Sequence, residues 1–199
     1  IHINPSSAFN SYKLDLQPCG NTTVIFGKRL YLPISYVTLW NSATLKFESD
    51  MTIANLQIGH KACTVDLNGH TIYIGSGEPL YNLGFGLKGK ITGEGNIVWS
   101  GGQSRSFGDE ATPTVVSGLD GRWTLYDGVL SFPASFSMPS TLGLAVNGCG
   151  LFYVNADMTL SDLRGDGATG QITMKDGTAL TLTAPSGTNA TYAARIAGV

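Results

Sequence analysis

Residues 65–74 have the sequence Val-Asp-Leu-Asn-Gly-His-Thr-Ile-Tyr-Ile. Apolar and polar side chains alternate on both sides of the Asn68–Gly69 pair, which is the pattern of two short β-strands joined by a tight turn. Alternation places the apolar side chains of each strand on one face and leaves the strand edges without hydrogen-bond partners. Such a unit cannot be stable alone, so the pattern predicts that other units of the same kind stack against it.

The same pattern recurs in the second half of the chain, where residues 152–163 match residues 45–56 and, after a stretch that does not match, residues 172–174 match residues 65–67. Both copies contain Asp-Met-Thr, at positions 50–52 and 157–159. One residue is inserted in the turn of the second copy, after which the final strand of the unit, residues 179–182, matches again. Because turns tolerate insertions better than strands do, the match indicates a repeated strand–turn–strand unit.

The composition indicates a folded chain built from β-strands. Hydrophobic residues make up 42% of the 199 residues and charged residues only 13%, against about 25% charged in an average domain. Disordered chains have the opposite balance. The 26 glycines and many Asx-Gly pairs provide the turns, and no segment has the period of a helix longer than a turn or two.

Stacked units of this kind predict an all-β fold, a parallel β-helix (solenoid) in which each coil pairs its strands with the next. We expect residues 1–199 to form a single solenoid segment, a fragment of a longer chain, because the sequence begins at Ile1 without an initiator Met or signal segment. The alternative is two tandem all-β sandwich domains that divide near residue 110.

Several motifs resemble those of known bacterial β-helices. Residues 65–72 resemble the V-D-L-N-G-x-T-I turn of pectin-lyase-like β-helices, and residues 89–97 resemble the glycine-punctuated rungs of autotransporter passengers. Residues 180–198 are similar to the passenger-associated repeat, although Ala194 stands where that repeat favours glycine. The resemblance implies a right-handed parallel β-helix that is secreted or displayed on a bacterial surface. It implies no particular activity, because such scaffolds carry adhesins, enzymes and inert stalks.

Charge and hydropathy exclude several kinds of partner. The net charge of −2 provides no general attraction for nucleic acid or for an anionic membrane. No apolar stretch approaches the roughly 18 residues of a membrane span. We therefore expect no nucleic-acid partner and no membrane span.

The three cysteines, Cys19, Cys63 and Cys149, are widely separated and form no C-x-x-C motif. Zinc binding is therefore not expected, and no other pattern indicates a metal or a cofactor. The thiols are either small buried side chains or include one disulfide, whose pairing the sequence does not define.

Aromatic side chains and one polar segment are the candidates for a binding surface. Trp40, Trp99 and Trp123 could stack on sugars, as could the tyrosines, although aromatic rings in β-structures more often fill the core. The tyrosines in question are Tyr31, Tyr36, Tyr73, Tyr81, Tyr126 and Tyr153. The longest polar interruption, residues 101–114, predicts a loop on the scaffold, and Arg105 and Phe107 are its candidate binding residues.

These observations predict an extracellular adhesin, glycan-binding or stalk module without catalysis, whose partner is a glycan or a host surface protein. The alternative is a polysaccharide-active β-helix enzyme, either a lyase or a glycoside hydrolase. A hydrolase needs two carboxylates beside the scissile bond. The order of residues in the sequence identifies no such pair, so no catalytic residue is predicted.

Overall fold

The residues that the computed structural model describes make up most of the chain. They are residues 1–3, 15–28, 32–75, 87–101, 104–108, 115–117, 121–165, 169–183, 192–193 and 195–198. All regular elements in this part of the chain are β-strands. None of these residues form a helix long and apolar enough to cross a membrane.

The strands are short and follow one another closely along the chain. They are β1 (His2–Ile3), β2 (Asp15–Leu16), β3 (Thr23–Phe26), β4 (Leu32–Leu39), β5 (Thr44–Phe47), β6 (Met51–Ile58), β7 (Thr64–Asp66), β8 (His70–Ile74), β9 (Lys90–Thr92), β10 (Gly95–Trp99), β11 (Ser104–Ser106), β12 (Val115–Ser117), β13 (Arg122–Leu125), β14 (Val129–Ser131), β15 (Gly143–Val146), β16 (Leu151–Val154), β17 (Met158–Leu160), β18 (Asp162–Arg164), β19 (Gln171–Met174), β20 (Leu180–Leu182) and β21 (Arg195–Gly198).

These strands form four sheets, each of which takes its strands from successive coils. Sheet A has the order β1-β3-β5-β7-β9-β12, and sheet B has the order β2-β4-β6-β8-β10-β13-β15-β18. Sheet C has the order β11-β14-β16-β19-β21, and sheet D is the pair β17-β20. In all four sheets the paired strands within the described residues are parallel.

Parallel pairing between successive coils defines a β-solenoid, which confirms the predicted fold. The alternative of two sandwich domains is wrong, because sandwiches are built from antiparallel hairpins. Sheet B also continues without a break past the expected boundary near residue 110, where β10 pairs with β13.

The turn in the opening motif has the predicted geometry. Asn68 and Gly69 both have positive φ angles, 50° and 83°. This conformation is easily reached only by glycine and, at some cost, by asparagine. The turn forms a corner of the coil, so the strand before it joins sheet A and the strand after it joins sheet B.

The two copies of the repeated unit have the same pairing between coils. In the first copy Leu45 pairs with Val65 and Met51 pairs with Ile72. At the matching positions of the second copy, Phe152 pairs with Ile172 and Met158 pairs with Leu180. The copies lie on different sheets, so the repeat reflects the architecture of a pair of adjacent coils and not of a domain.

The aspartate of each Asp-Met-Thr motif links one coil to the next. Asp50 Oδ1 accepts a hydrogen bond from the backbone N–H of Thr71 at 2.9 Å, and Asp157 Oδ1 accepts one from Ala179 at the same distance. A carboxylate can satisfy a backbone donor at the start of a strand. The motif therefore contributes to stacking, which explains its recurrence.

Apolar side chains point into the coils and stack from coil to coil. In sheet A one such ladder is formed, in register, by Val24, Leu45, Val65, Ile91 and Val116, all of them buried. Parallel, in-register stacking places similar side chains directly above one another, about 4.8 Å apart. The result is a continuous core along the length of the described coils.

The segment predicted as a polar loop, residues 101–114, is not a continuous loop. Ser104–Ser106 forms β11, which pairs with β14, and the following Phe107 is fully buried. Residues 102–103 and 109–114 lie outside the described residues. The sequence concealed this strand because most of its side chains are polar and Phe107 is its one large apolar neighbour.

Candidate binding site

Three of the aromatic residues singled out from the sequence lie in the core. Trp99, Phe107 and Trp123 are each 0% exposed. The Trp123 ring is stacked on Phe107, with ring centroids 4.7 Å apart, and meets Trp99 edge-on. These rings fill the interior of the solenoid and present no surface to a ligand.

The remaining two candidates are placed differently. Trp40 is half-buried, and a Cβ added at Gly59 would lie 2.7 Å from its ring, so the indole covers this glycine. The backbone of Arg105 pairs with Leu130 in sheet C, whereas its side chain lies outside the described part of the structure. The structure does not bring these five residues together into a site.

A groove lies instead on the outer face of sheet B. Its volume is about 560 Å³, within the range of roughly 300–1,000 Å³ that is common for small-molecule sites. The groove is lined by residues of β13, β15 and β18, by the residues just after these strands, and by Ala193, which precedes β21 and donates its N–H to the Gly165 carbonyl oxygen. The lining residues are Arg122, Thr124, Tyr126, Ala145, Asn147, Arg164, Gly165 and Ala193.

The floor of the groove follows from the register of these strands. Thr124 pairs with Ala145, and Ala145 pairs with Arg164. Outward-facing side chains in the same register form a row across the coils. Because Thr124 and Ala145 are small and Arg164 is long, the surface is low at β15, the middle strand of the three, and rises at β18, the edge strand of sheet B.

Two arginines share one carboxylate at the side of the groove. Arg122 Nη2 donates to Asp162 Oδ2, and Arg164 Nε donates to the same oxygen at 2.8 Å. The Asp162 side chain is 16% exposed, whereas both arginine side chains remain more than a third exposed. Two guanidinium groups against one carboxylate leave one positive charge in excess at an open surface.

A glycine makes this arrangement possible. Gly143 lies between Arg122 and Asp162 in the ladder and pairs with both. A Cβ at this position would lie 3.3 Å from Asp162 Cβ and 3.6 Å from Arg122 Nε. The absence of a side chain on the middle strand lets the Arg122 guanidinium extend across it.

The backbone of Arg122 is held in place by a series of polar contacts between successive coils. Its backbone N–H donates to Asn96 Oδ1 at 2.8 Å, and Asn96 Nδ2 donates to Thr71 Oγ1 at 3.2 Å. Thr71 is in turn held through its backbone by Asp50. The guanidinium is therefore presented from a rigid surface and not from a loop.

One aromatic ring borders the groove. Tyr126 follows β13 and is 47% exposed, which is unusual among the large hydrophobic residues of the described chain. An exposed tyrosine offers an apolar ring face together with a polar hydroxyl. Tyr126 lines the same groove as Arg122 and Arg164, so the groove offers a stacking surface together with hydrogen-bond donors.

The groove contains few groups suited to hydrolytic catalysis. None of the described residues that line it is a carboxylate, and the neighbouring Asp162 is occupied by two guanidinium groups. The described residues contain no group of three or more His, Cys, Asp or Glu side chains that could hold a metal ion. The two guanidinium groups can donate charge-assisted hydrogen bonds to an anionic ligand.

The three cysteines are free thiols in different surroundings. Cys19 and Cys149 are exposed, whereas Cys63 is fully buried and its Sγ lies 3.2 Å from the carbonyl oxygen of Asn41. Burial raises the pKa of the Cys63 thiol. Only one of the three is therefore a buried side chain of the kind that the sequence suggested.

We expect a thiol reagent to modify Cys19 and Cys149 in the folded protein and to leave Cys63 unmodified. The thiolate is the reactive form, and a raised pKa lowers its fraction at a given pH, in addition to the steric protection. Mass spectrometry after maleimide treatment would measure this. Full modification of all three in denaturant is the control, and rapid native labelling of Cys63 would contradict the burial described here.

Comparison with protein families, curated proteins and solved structures finds no match to this chain. Arg122, Tyr126, Asp162 and Arg164 are thus identified as a site by their geometry alone. A partial signal for them exists in the sequence. In Arg-Trp-Thr-Leu-Tyr, residues 122–126, alternation puts Arg122, Thr124 and Tyr126 on the outer face, but it does not indicate which strands lie beside them.

Proposed function

We propose that this chain is a carbohydrate-binding segment of an extracellular bacterial β-solenoid and that the groove on sheet B binds an acidic saccharide. The observation that carries the proposal is the excess positive charge of Arg122 and Arg164 in a groove that the exposed Tyr126 also lines. Guanidinium groups form strong, directional hydrogen bonds with carboxylate or sulfate groups. The tyrosine ring can stack on the apolar face of a sugar.

The proposed binding involves no catalysis. The groove is open, so a single site is expected to bind weakly. Several copies of the protein on one surface would bind a polymeric ligand with an avidity well above the affinity of one site. Such binding fits an adhesin or glycan-binding segment. The secreted, bacterial setting of the proposal rests on the resemblance of the motifs described above.

The test is the binding of wild-type protein to immobilised polymannuronate, hyaluronan and heparin, with dextran as the neutral comparison. Polymannuronate and hyaluronan carry carboxylates only, and heparin adds sulfates, so the panel distinguishes the two sources of negative charge. We expect binding to at least one acidic polymer and not to dextran, with affinity that falls as salt is added. Failure to bind any acidic polymer would overturn the proposal.

A matched pair of variants locates the site. We expect Arg164→Gln to lower the affinity about ten- to a hundredfold, since a charge-assisted hydrogen bond is worth about 1.5–3 kcal/mol. Lys175→Gln removes the same charge from an exposed position that does not line the groove, and should leave the affinity nearly unchanged. Equal losses in both variants would mean that the attraction is non-specific. Shortening of the polymer chains during incubation would instead favour a polysaccharide-active enzyme.

A further inference from the structure

A second exposed tyrosine lies on the same face as the groove. Tyr73 in β8 is 43% exposed, close to the 47% of Tyr126. Its neighbours in the strand, Ile72 and Ile74, are almost completely buried, so the Tyr73 side chain points away from the core. Tyr73 does not line the groove.

The register of sheet B fixes the relation between the two tyrosines. Tyr73 pairs with Val98, and Val98 pairs with Thr124. Tyr126 lies two residues beyond Thr124 in the chain. Two strand spacings and two residues of strand rise place the Cα atoms of the two tyrosines roughly 12 Å apart.

The positions between them carry shorter side chains. They are Val98 and Thr124, both half-buried, and Ser100, whose hydroxyl donates to the Ile74 carbonyl oxygen at 3.4 Å. The surface at these positions is thus lower than the two rings that border it. It joins the groove directly, because Thr124 belongs to both.

A separation of this size determines the minimum length of a ligand that contacts both rings. Stacked rings lie within about 7 Å of each other, so a sugar that stacks on Tyr126 cannot also stack on Tyr73. A saccharide of several units, however, can contact both if it crosses the strands. Its direction would then be along the solenoid axis, from coil to coil.

We infer that Tyr73 is a second stacking subsite of the sheet B groove, and that the site takes an acidic oligosaccharide laid across the coils. This inference rests on the proposed function. Tyr73 lies in β8 and Tyr126 directly follows β13, and both strands pair with β10. The spacing of the two rings is therefore fixed before the ligand binds, and binding costs little conformational entropy of the protein. The acidic group binds at the Arg122–Arg164 end, and the sugar units farther along the chain reach Tyr73.

The test is the dependence of affinity on ligand length. Oligomers prepared from the same three acidic polymers, from the shortest unit upward, are titrated against the wild-type protein. Affinity should rise with length until the ligand reaches Tyr73 and then level off. In Tyr73→Ala the shortest oligomer should bind as in wild type, while the affinity for long oligomers should fall about three- to tenfold, the loss expected for one stacking contact.

Two further variants make the outcome specific. Tyr126→Ala should weaken the binding of short and long oligomers alike. Tyr153→Ala, the same change on the outer face of sheet C, should leave both unchanged, and thermal unfolding would verify that each variant is folded. If the wild-type affinity is independent of length, or if Tyr73→Ala binds long oligomers like wild type, the second subsite is overturned while the proposed function stands. If no oligomer binds to the wild type, the proposed function fails and the subsite fails with it.

Discussion

Substitution of Gly121 by alanine is expected to destabilise the protein by about 3 kcal/mol or more. A Cβ at this position would lie 1.7 Å from the carbonyl oxygen of Gly95 and 2.6 Å from its carbonyl carbon. These are backbone atoms of the adjacent coil and cannot rotate away as a side chain can. The clash can be relieved only if the coils separate, and separation would disturb the hydrogen bond that the Arg122 N–H donates to Asn96 Oδ1 between the same two coils.

Gly75, which directly follows β8 of sheet B, provides the control. A Cβ at Gly75 would have only Ile53 O within 4 Å, at 3.7 Å, which is an ordinary van der Waals contact. Gly75→Ala is therefore expected to change the free energy of unfolding by no more than about 0.5 kcal/mol. Urea unfolding followed by circular dichroism would compare the two variants. Equal midpoints for Gly121→Ala and wild type would show that the coils are not in such close contact.

The fold could be predicted from the sequence because its evidence is local. Alternation in residues 65–74 defines two strands and the turn between them, and the matching copy at residues 152–174 shows that the unit repeats. A strand that buries one face and leaves its edges unpaired requires neighbours, and parallel stacking provides them. The structure confirms this step by step, down to the same pairing of Leu45 with Val65 and of Phe152 with Ile172.

The site could not be predicted in the same way, because it is formed between coils. Arg122 and Asp162 are far apart in the chain and meet only because β13, β15 and β18 are consecutive strands of sheet B. Their contact also depends on Gly143, which the sequence presents as one glycine among 26. The number of residues in each coil determines which residues become neighbours in adjacent coils. That number changes with every turn and insertion, so the sequence does not define these neighbours.

Alternation within a strand could have distinguished the buried aromatic residues from the exposed ones. Trp123 and Leu125 share one face of β13 and are buried, whereas Tyr126 follows on the other face and is exposed. Parity within the strand thus separates a core ring from a surface ring. Alternation alone does not show which face of β13 points inward. The apolar Leu125 identifies the inner face, because a leucine marks the core.

The burial of Trp123 leads to the second large prediction, that Trp123→Ala lowers the free energy of unfolding by about 3–5 kcal/mol. The ring is fully buried and lies 5.6 Å from Trp99, 4.7 Å from Phe107 and 6.2 Å from Phe132, measured between centroids. Its removal leaves a cavity among rings that belong to different coils and cannot move together without breaking strand pairs. Urea unfolding would measure the loss.

Two further variants serve as comparisons. One tests the contribution of a buried polar group, and the other compares a ring in the core with a ring on the surface. The Trp123 indole N–H is buried without a hydrogen-bond partner among the described residues. Trp123→Phe keeps an aromatic ring and removes this unsatisfied donor, so it should cost much less than Trp123→Ala. Tyr126→Ala, three residues along the chain on the outer face, should alter stability by about 0.5 kcal/mol at most. If Trp123→Ala were as stable as Tyr126→Ala, the aromatic core would be misassigned, and the tryptophan would return to the surface candidates for sugar binding.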